Sequence, residues 1–307
     1  MKKYRDIVGD GGSNIVGQVE AQQSRLRARL AAVRQIVTIV SGKGGVGKSS
    51  VTANLAAAFA RTGAAVGVLD ADLNGPSIAK MLGVRGMRLK LSGGGVEPPQ
   101  TAQGIRVMSM DLLLPSDETP LTWDATSQAE SHIWRGNMEA NALREFLADT
   151  VWGPLDILLL DLPPGTDRLS TVAGLVPSLS GTVLVTIPAE VSHLVVKKSI
   201  TLAKATPAPI LGLVENMAGY VCEKCGAVGE LFQGAGGEAL AAEFGIPFLG
   251  RVPFDPRLAA AADRGVAFVT EHADTPAARA LLEIADRLRI ALAPSPSSSP
   301  PRGERAG

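Results

Sequence analysis

A glycine-rich stretch near the amino terminus constrains this chain more than any other feature. Residues 42–49 read GKGGVGKS, which satisfies the pattern G-x-x-x-x-G-K-S/T. The apolar run IVTIV at 36–40 precedes the stretch, and a helical pattern begins at Lys48. A strand, a glycine-rich turn and a helix in this order form a loop whose backbone N–H groups surround phosphate. The stretch therefore predicts an ATP-binding site; the simpler alternative is a turn that binds nothing.

Each position of this phosphate loop has an expected role. The glycines let the backbone turn inward around an anion, and the positive end of the following helix adds to the field there. Lys48 is expected to reach the β- and γ-phosphates, and the Ser49 hydroxyl is expected to bind Mg²⁺. The residues predicted to bind nucleotide here are Gly42, Lys43, Gly44, Gly45, Val46, Gly47, Lys48, Ser49 and Ser50.

The order of apolar and helical segments predicts the fold. Runs of apolar residues alternate with helical stretches, and most of these runs are apolar throughout rather than at every second position. That pattern is typical of a parallel sheet with helices on both faces. We therefore predict an α/β fold with a doubly wound, mostly parallel sheet. The predicted strands cover residues 36–40, 65–70, 105–110, 156–161, 182–187 and 210–216.

The chain divides into three predicted parts. Residues 1–34 form a leader with a short amphipathic helix over 20–34, and residues 35–293 form a single ATPase domain. Residues 294–307 are rich in proline and serine, which predicts a disordered tail. Residues 85–104, rich in glycine and proline, are expected to form a surface excursion from the domain.

Charge and hydropathy argue against several kinds of partner. Thirty Lys and Arg residues balance thirty Asp and Glu residues, so no overall field draws the chain to nucleic acid or to an anionic membrane. No apolar run of a signal peptide is found, and no stretch approaches the roughly 20 apolar residues of a membrane span. We therefore expect a cytoplasmic protein with neither a nucleic-acid nor a membrane partner.

Carboxylates that follow two of the predicted strands complete the nucleotide site. Asp161 ends the strand DILLLD and precedes the residues PPG, so its carboxylate is expected beside Mg²⁺ at the carboxyl edge of the sheet. Asp70 and Asp72 follow the strand AVGVLD in the segment DADLNGPS. A carboxylate there could orient the attacking water. A helix cap or a turn former is the alternative role for any one of these aspartates.

The two cysteines of the chain, Cys222 and Cys225, form a C-x-x-C pair after the last predicted strand. They could be a redox pair, two ligands of a metal ion or cluster, or two surface thiols. A redox motif would open a helix at this point, and Gly226 argues against one. A [4Fe-4S] cluster and a structural Cys₄ zinc site each need four thiolates. A metal site therefore requires two copies of the chain, most simply a symmetric homodimer.

Several motifs in a fixed order give the chain a resemblance to the Mrp family of iron–sulfur cluster carrier proteins, also called ApbC-like. The resemblance spans Ile36 to about Ala262. It rests on the segments VSGKGGVGKSS, DADLNGPSIAKMLG, VMSMDLLLP, IWRGNM, ILLLDLPPGT, GLVENMAGYVCEKCG and GIPFLGRVPFDPRL. The loop KGGVGKS also resembles the deviant phosphate loop of the wider MinD, ParA and nitrogenase iron-protein class.

The resemblance implies a function and a set of partners. Members of the family are ATP-binding homodimers that hold a labile [4Fe-4S] cluster between paired C-x-x-C motifs and pass it to apo-proteins. By resemblance, this chain is a slow ATP hydrolase that carries such a cluster from cluster donors to apo iron–sulfur proteins. The implied cofactors are ATP, Mg²⁺ and the [4Fe-4S] cluster.

The resemblance also implies residue roles. Lys43 would reach across the dimer to the partner's nucleotide, and Asn216 would bond to adenine. Asp72 would orient the attacking water, with Asp70 nearer the outer shell of the metal. The predicted catalytic residues are thus Lys43, Lys48 and Asp72. The predicted metal ligands are Ser49 and Asp161 for Mg²⁺, and Cys222 and Cys225 for the cluster.

The chain departs from the family pattern at several places. It reads PPGTDR after Asp161 where the family usually reads PPGTGD, and WRGNM replaces the commoner WRGPM. Residues 122–131 resemble an insertion. Two other functions stay open: a MinD/ParA-type positioning ATPase on a membrane or DNA surface, and a structural zinc dimer with regulatory ATP binding.

Overall fold

The computed structural model describes residues 15–114, 128–165, 168–222, 224–231 and 236–293. The strands are β1 (Val33–Ser41), β2 (Val66–Asp70), β3 (Lys90–Ser92), β4 (Gly95–Glu97), β5 (Arg106–Met108), β6 (Leu155–Asp161), β7 (Gly181–Thr186), β8 (Ile210–Val221), β9 (Val228–Gly229) and β10 (Phe248–Phe254). The helices are α1 (Ile15–Leu30), α2 (Lys48–Arg61), α3 (Ile78–Met81), α4 (Gln128–Asp149), α5 (Arg168–Leu175), α6 (Glu190–Lys204), α7 (Gly237–Phe244), α8 (Pro256–Asp263), α9 (Phe268–Glu271) and α10 (Pro276–Ala291), with a 3₁₀ helix at Met110–Leu112.

One sheet organises these elements. Its strands follow the order β10-β8-β7-β1-β6-β2-β5, and every neighbouring pair in that order is parallel. β9 adds an antiparallel partner to the end of β8, and β3 and β4 form a separate hairpin. The predicted α/β fold with a doubly wound, mostly parallel sheet is confirmed.

Both faces of the sheet are buried, as the continuously apolar strands require. In β1, Val37 and Ile39 join one buried cluster, to which α2 and α10 also contribute. Ile36 and Val40 join the other cluster, to which α4 and α6 contribute. Burying one such side chain stabilises the fold by about 2 kcal/mol. Alternate residues of one strand thus hold helices against opposite faces.

Local capping fixes where two of the helices begin. The Asp255 side chain accepts a hydrogen bond from the Arg257 N–H, and Pro256 opens α8. The Thr275 hydroxyl accepts from the Ala278 N–H in the same way, one residue before α10. An oxygen-bearing cap followed by proline satisfies a free N–H group and presets the backbone for the first turn.

The amino-terminal helix packs on the domain, but its predicted bounds are wrong. The helix was expected over 20–34, whereas α1 ends at Leu30 and Val33 opens β1. Val33 is buried and pairs with Leu155 of β6, so sheet pairing overrides the helical spacing at this point. The predicted division between residues 34 and 35 therefore falls inside β1.

Three other segments differ from or exceed the prediction. Residues 85–104 contain the β3–β4 hairpin, and β8 runs five residues beyond its predicted end at 216. β10 was not predicted. The predicted tail at 294–307, and residues 122–127 of the predicted insertion, lie outside the described residues. Within the described part of the chain, no helix is long and apolar enough to cross a membrane.

Candidate functional site

The phosphate loop joins β1 to α2, as the sequence predicts. Gly45 and Gly47 have φ values of 78° and 77°, which glycine adopts without steric cost. Gly47 directly precedes α2, so the positive end of that helix faces the loop. A Cβ on Gly47 would lie 2.2 Å from Asn216 Nδ2, which leaves no room for any side chain at this position.

The remaining predicted loop residues differ in exposure. Gly42, Val46 and Lys48 are buried, Gly44 is exposed, and Lys43 is partly exposed. The Ser41 hydroxyl donates a 3.0 Å hydrogen bond to the Lys43 carbonyl, which stabilises the first turn of the loop. Ser49 and Ser50, in the first turn of α2, are half-buried.

Asp161 collects three donors from the first turns of α2. Its Oδ2 accepts a 2.6 Å hydrogen bond from Ser49 Oγ and lies 2.7 Å from Lys48 Nζ. Its Oδ1 accepts a 2.6 Å hydrogen bond from Thr52 Oγ1. A hydroxyl and a carboxylate oxygen are ligands that Mg²⁺ prefers, and an ammonium group beside them suits a phosphate. The Ser49 hydroxyl, the Asp161 carboxylate and the Lys48 ammonium group therefore fit Mg²⁺ and a nucleoside triphosphate.

Asp70 lies beside this cluster but faces into the protein. β2 and β6 are neighbours, and their register pairs Asp70 with Asp161. Asp70 Oδ2 accepts hydrogen bonds from the Ser77 N–H at 2.9 Å, the Ile78 N–H at 3.0 Å and Ser109 Oγ at 3.2 Å. Burial, and then the negative charge of Asp161, raise the pKa of Asp70 to about 7. Asp70 thus anchors the segment that carries Asp72.

Asp72, predicted to orient water, is half-buried at the start of that segment. Its Oδ1 accepts a 3.2 Å hydrogen bond from the Gly75 N–H, which closes a short turn. The Gly165 N–H, at the other side of the site, donates a 3.0 Å hydrogen bond to the Ser41 carbonyl. Asp72 and Gly165 follow β2 and β6, so the two segments border the phosphate loop from the same edge of the sheet.

Strand β8 links the phosphate loop to the cysteines. The Asn216 side-chain amide, nearly buried, donates a 2.8 Å hydrogen bond to the Val46 carbonyl. The next residue, Met217, is the one non-glycine residue with a positive φ, 55°, among those the structure describes. The ladder with β10 shifts register just beyond it. The structure thus brings Asn216 to the phosphate loop; its contact with adenine stays a prediction.

The C-x-x-C pair forms the turn between β8 and β9. The Cys222 N–H donates to the Ala227 carbonyl and the Gly226 N–H donates to the Cys222 carbonyl, both at 2.8 Å. Cys222 is half-buried and Cys225 is exposed. Among the described residues, no group of three or more His, Cys, Asp and Glu side chains could hold a metal ion. The turn thus places the two cysteines in one short segment; their role as cluster ligands stays a prediction.

Known proteins similar to this chain decide its family. Residues 32–289 match the family described as ParA, NUBPL iron-transfer P-loop NTPase. The chain belongs to this family. The iron-sulfur cluster carrier protein of Saccharolobus solfataricus is 44% identical over 272 residues, which cover 88% of each chain. The protein of the same name from Methanocaldococcus jannaschii is 46% identical over 249 residues, covering 81% of this chain and 82% of that one.

Solved structures agree with the fold of this chain. A nucleotide-binding protein in complex with ADP from Archaeoglobus fulgidus has a TM-score of 0.67 and 37% identity, covering 80% of this chain and 92% of that one. The cell division ATPase MinD of Pyrococcus furiosus has a TM-score of 0.58 at 23% identity, covering 84% and 99%. The MinD likeness shows the fold alone. The resemblance to iron–sulfur cluster carriers is confirmed.

The sequence did not indicate some residues that shape this site. Thr52 bonds to Asp161, and its position one helical turn after Lys48 and Ser49 could have indicated it. Glu139 of α4 contacts the segments on both sides of the phosphate loop. No sequence signal marks Glu139, because its partners come from distant parts of the chain.

Proposed function

We propose that this chain is an ATP-binding and ATP-hydrolysing carrier of iron–sulfur clusters that acts as a cytoplasmic homodimer. The observation that carries the proposal is that one strand, β8, contains Asn216 and leads directly into the C-x-x-C turn. β8 contacts the phosphate loop through Asn216 and ends at Val221, the residue directly before Cys222. Because β8 contacts the phosphate loop and leads into the cysteine turn, a change at the nucleotide could alter the position of the cysteines. A carrier whose cluster release depends on ATP needs such a connection.

For ATP hydrolysis, the side chains around the phosphate loop would take separate roles. Mg²⁺, held by Ser49 and Asp161, would neutralise charge on the phosphate oxygens when bound. Lys48 would stabilise charge that develops on the transferred phosphoryl group, and Lys43 of the second copy would add to it. Asp72 would orient the attacking water. These groups position the attacking water and neutralise charge on the phosphates. A slow, switch-like ATPase is therefore expected.

The cluster is the cargo in this proposal. Two copies of the pair Cys222 and Cys225 would supply the four thiolates of a [4Fe-4S] cluster. Apolar side chains around the turn are exposed, namely Tyr220, Val228 and Leu231. Their burial against the second copy would favour the dimer that the ligand count demands. An exposed Cys225 would leave the cargo accessible to an apo-protein.

Anaerobic reconstitution with iron and sulfide tests the cargo. The wild-type protein should gain visible absorption and about four irons for each dimer. Cys222→Ser and Cys225→Ser should lose both, whereas Lys224→Ala, in the same turn, should keep them. A double cysteine variant as strongly coloured as the wild type would refute the proposal. Zinc at four thiolates after anaerobic purification would favour the structural zinc dimer instead.

The ATP part needs its own measurement, because a cluster could be carried without hydrolysis. Phosphate release should be slow and depend on Mg²⁺, and Lys48→Ala should abolish it. The likeness to MinD supports no membrane or DNA role, since identities of 21–24% to MinD structures show the fold alone. Sedimentation with liposomes or DNA only when ATP is present would support a positioning ATPase in place of a carrier.

A further inference from the structure

Two residues from opposite sides of the phosphate loop, one in the segment after β2 and one at the start of α5, meet at one buried carboxylate. We name residues 71–77 the Asp72 loop and residues 162–165 the Gly165 loop. Asn74, in the Asp72 loop, donates a 2.8 Å hydrogen bond from Nδ2 to Glu139 Oε1. Arg168, three residues beyond Gly165, forms an ion pair with Glu139 Oε2. The two oxygens of one carboxylate thus hold one residue from each side of the site.

The surroundings of Glu139 make this contact strong. Its side chain is 8% exposed, and that of Arg168 is 26% exposed. A cavity of 20 Å³ lies between the two loops beside Glu139, with Leu73 and Leu162 in its lining. That volume admits about one water molecule. A carboxylate so shielded from water depends on its cation and its amide donor, because an unpaired buried charge is costly.

Glu139 belongs to an element packed in the core, whereas the residues it holds belong to segments that border the phosphate loop. Glu139 belongs to α4, whose buried Leu143 and Leu147 pack in the core against the sheet. The Gly165 loop, in contrast, also contacts the phosphate loop region, through the Gly165 N–H and the Ser41 carbonyl at 3.0 Å. A shift of either loop around a bound phosphate therefore pulls on a side chain that the other loop shares.

We propose that Glu139 is a positioning residue for ATP hydrolysis: its carboxylate joins Asn74 to Arg168, so that the Asp72 loop and the Gly165 loop adopt their reactive positions together. The proposal rests on the hydrolysis proposed above. Glu139 need not touch nucleotide, because it acts through the two residues that it holds. Its loss should therefore change turnover far more than nucleotide affinity.

Steady-state kinetics on Glu139→Gln provide the first test. The amide oxygen of glutamine can still accept from Asn74, while the ion pair with Arg168 is lost. We expect kcat to fall about tenfold because misplaced groups slow the reaction, with KM for ATP unchanged within about twofold. Glu243→Gln is the matched control, since it breaks the exposed 2.7 Å ion pair with Lys197 on another surface. The control should retain its kcat.

A double-mutant cycle separates positioning from general damage. Arg168→Gln should lower kcat to the same degree, Arg168→Lys should recover part of it, and Glu139→Gln combined with Arg168→Gln should be no worse than either alone. Additive losses, or variants that melt earlier but keep the wild-type kcat, would overturn the proposal. If Glu139→Gln does not fold, Asn74→Ala and Arg168→Lys carry the same comparison.

Hydrogen exchange distinguishes a failure of this proposal from a failure of the ATPase proposal. In Arg168→Gln with a non-hydrolysable ATP analogue, exchange in the Asp72 loop should accelerate several-fold, although the substitution lies in α5. Faster exchange confined to the Gly165 loop and α5 would reject the coupling. A wild-type protein that hydrolyses no ATP would remove the proposed activity, while the exchange result would still decide whether Glu139 joins the loops.

Discussion

Asn216 donates its side-chain amide to the carbonyl of Val46, a residue 170 positions earlier in the chain, at 2.8 Å. This bond joins the strand that ends directly before Cys222 to the phosphate loop. The contact is nearly buried, so neither partner can exchange it freely for water. A movement of Val46 in the phosphate loop would therefore stretch or break a hydrogen bond to β8.

Replacing Asn216 with alanine should weaken nucleotide binding by about tenfold, because a buried hydrogen bond that shapes the loop, typically worth about 1 kcal/mol, is lost. Titration with a fluorescent ADP analogue measures the change. Asn141→Ala is the control, since it removes an exposed 2.7 Å hydrogen bond with Arg144 on α4. Equal affinities for both variants would show that the bond does not shape the site.

Gly47→Ala should abolish nucleotide binding. The substitution combines a left-handed backbone, φ 77°, with a Cβ only 2.2 Å from Asn216 Nδ2. Gly63→Ala isolates the backbone cost, because Gly63 has a φ of 85° and nothing within 4 Å of its Cβ. Gly63→Ala should lower stability by about 1 kcal/mol and retain ADP binding. Binding by Gly47→Ala at the wild-type affinity would contradict the loop geometry.

Thr52→Ala should destabilise the apo-protein by about 2 kcal/mol, because it removes a hydrogen bond to the buried carboxylate of Asp161. Thr52→Ser keeps the hydroxyl and should stay close to the wild type. Urea unfolding of the three proteins at one pH gives the comparison. The prediction fails if serine and alanine destabilise equally, since the methyl group rather than the hydroxyl would then matter.

Asp70 should make stability depend on pH in the direction opposite to that of an ordinary paired aspartate. Its pKa is about 7 in the folded protein, against an ordinary aspartate value of 3.8, so the folded state binds the proton more tightly. The stability that this proton contributes is present below about pH 4 and is lost as pH rises to about 7. The loss is on the order of 4 kcal/mol.

Urea titrations at several pH values test the role of Asp70. Asp70→Asn should flatten the decline in unfolding free energy between pH 4 and pH 7. Asp156→Asn is the control: a hydrogen bond from the Ala65 N–H, and then Arg34, hold the pKa of Asp156 below its usual value. Asp156→Asn should therefore lower the unfolding free energy by a constant amount between pH 4 and pH 7 and leave the slope there unchanged, and its difference from the wild type should shrink only as pH falls below about 4. If the unfolding free energy of Asp70→Asn declined with pH as steeply as that of the wild type, a group other than Asp70 would bind the proton.

The sequence predicted the parts of the fold that arise from local pattern. The apolar runs at 36–40 and 156–161 lie inside β1 and β6, because a strand buried on both faces must be apolar throughout. β10 escaped prediction because Gly250, Arg251 and Pro253 interrupt its apolar run. The first residue of β1, Val33, is set by its pairing with Leu155 of β6, and the spacing of apolar residues near Val33 does not indicate that pairing.

The candidate site shows the same division. A motif in sequence indicated Lys48, Ser49 and Asp161, and the structure brings them together. The side chain of Asp70, in contrast, turns inward to the Ser77 and Ile78 N–H groups, a choice set by the path of the following loop. The contacts of Glu139 join three segments far apart in sequence, so only the tertiary structure reveals them.

The unequal exposure of Cys222 and Cys225 gives the proposed carrier a direction. In a symmetric pair of chains, each chain would contribute one half-buried cysteine and one exposed cysteine. An acceptor thiol approaching from solvent would replace Cys225 first, while Cys222 stayed bound to the cluster. Handover would then proceed by stepwise ligand replacement, outer sulfurs before inner ones, without the two chains having to separate at the outset.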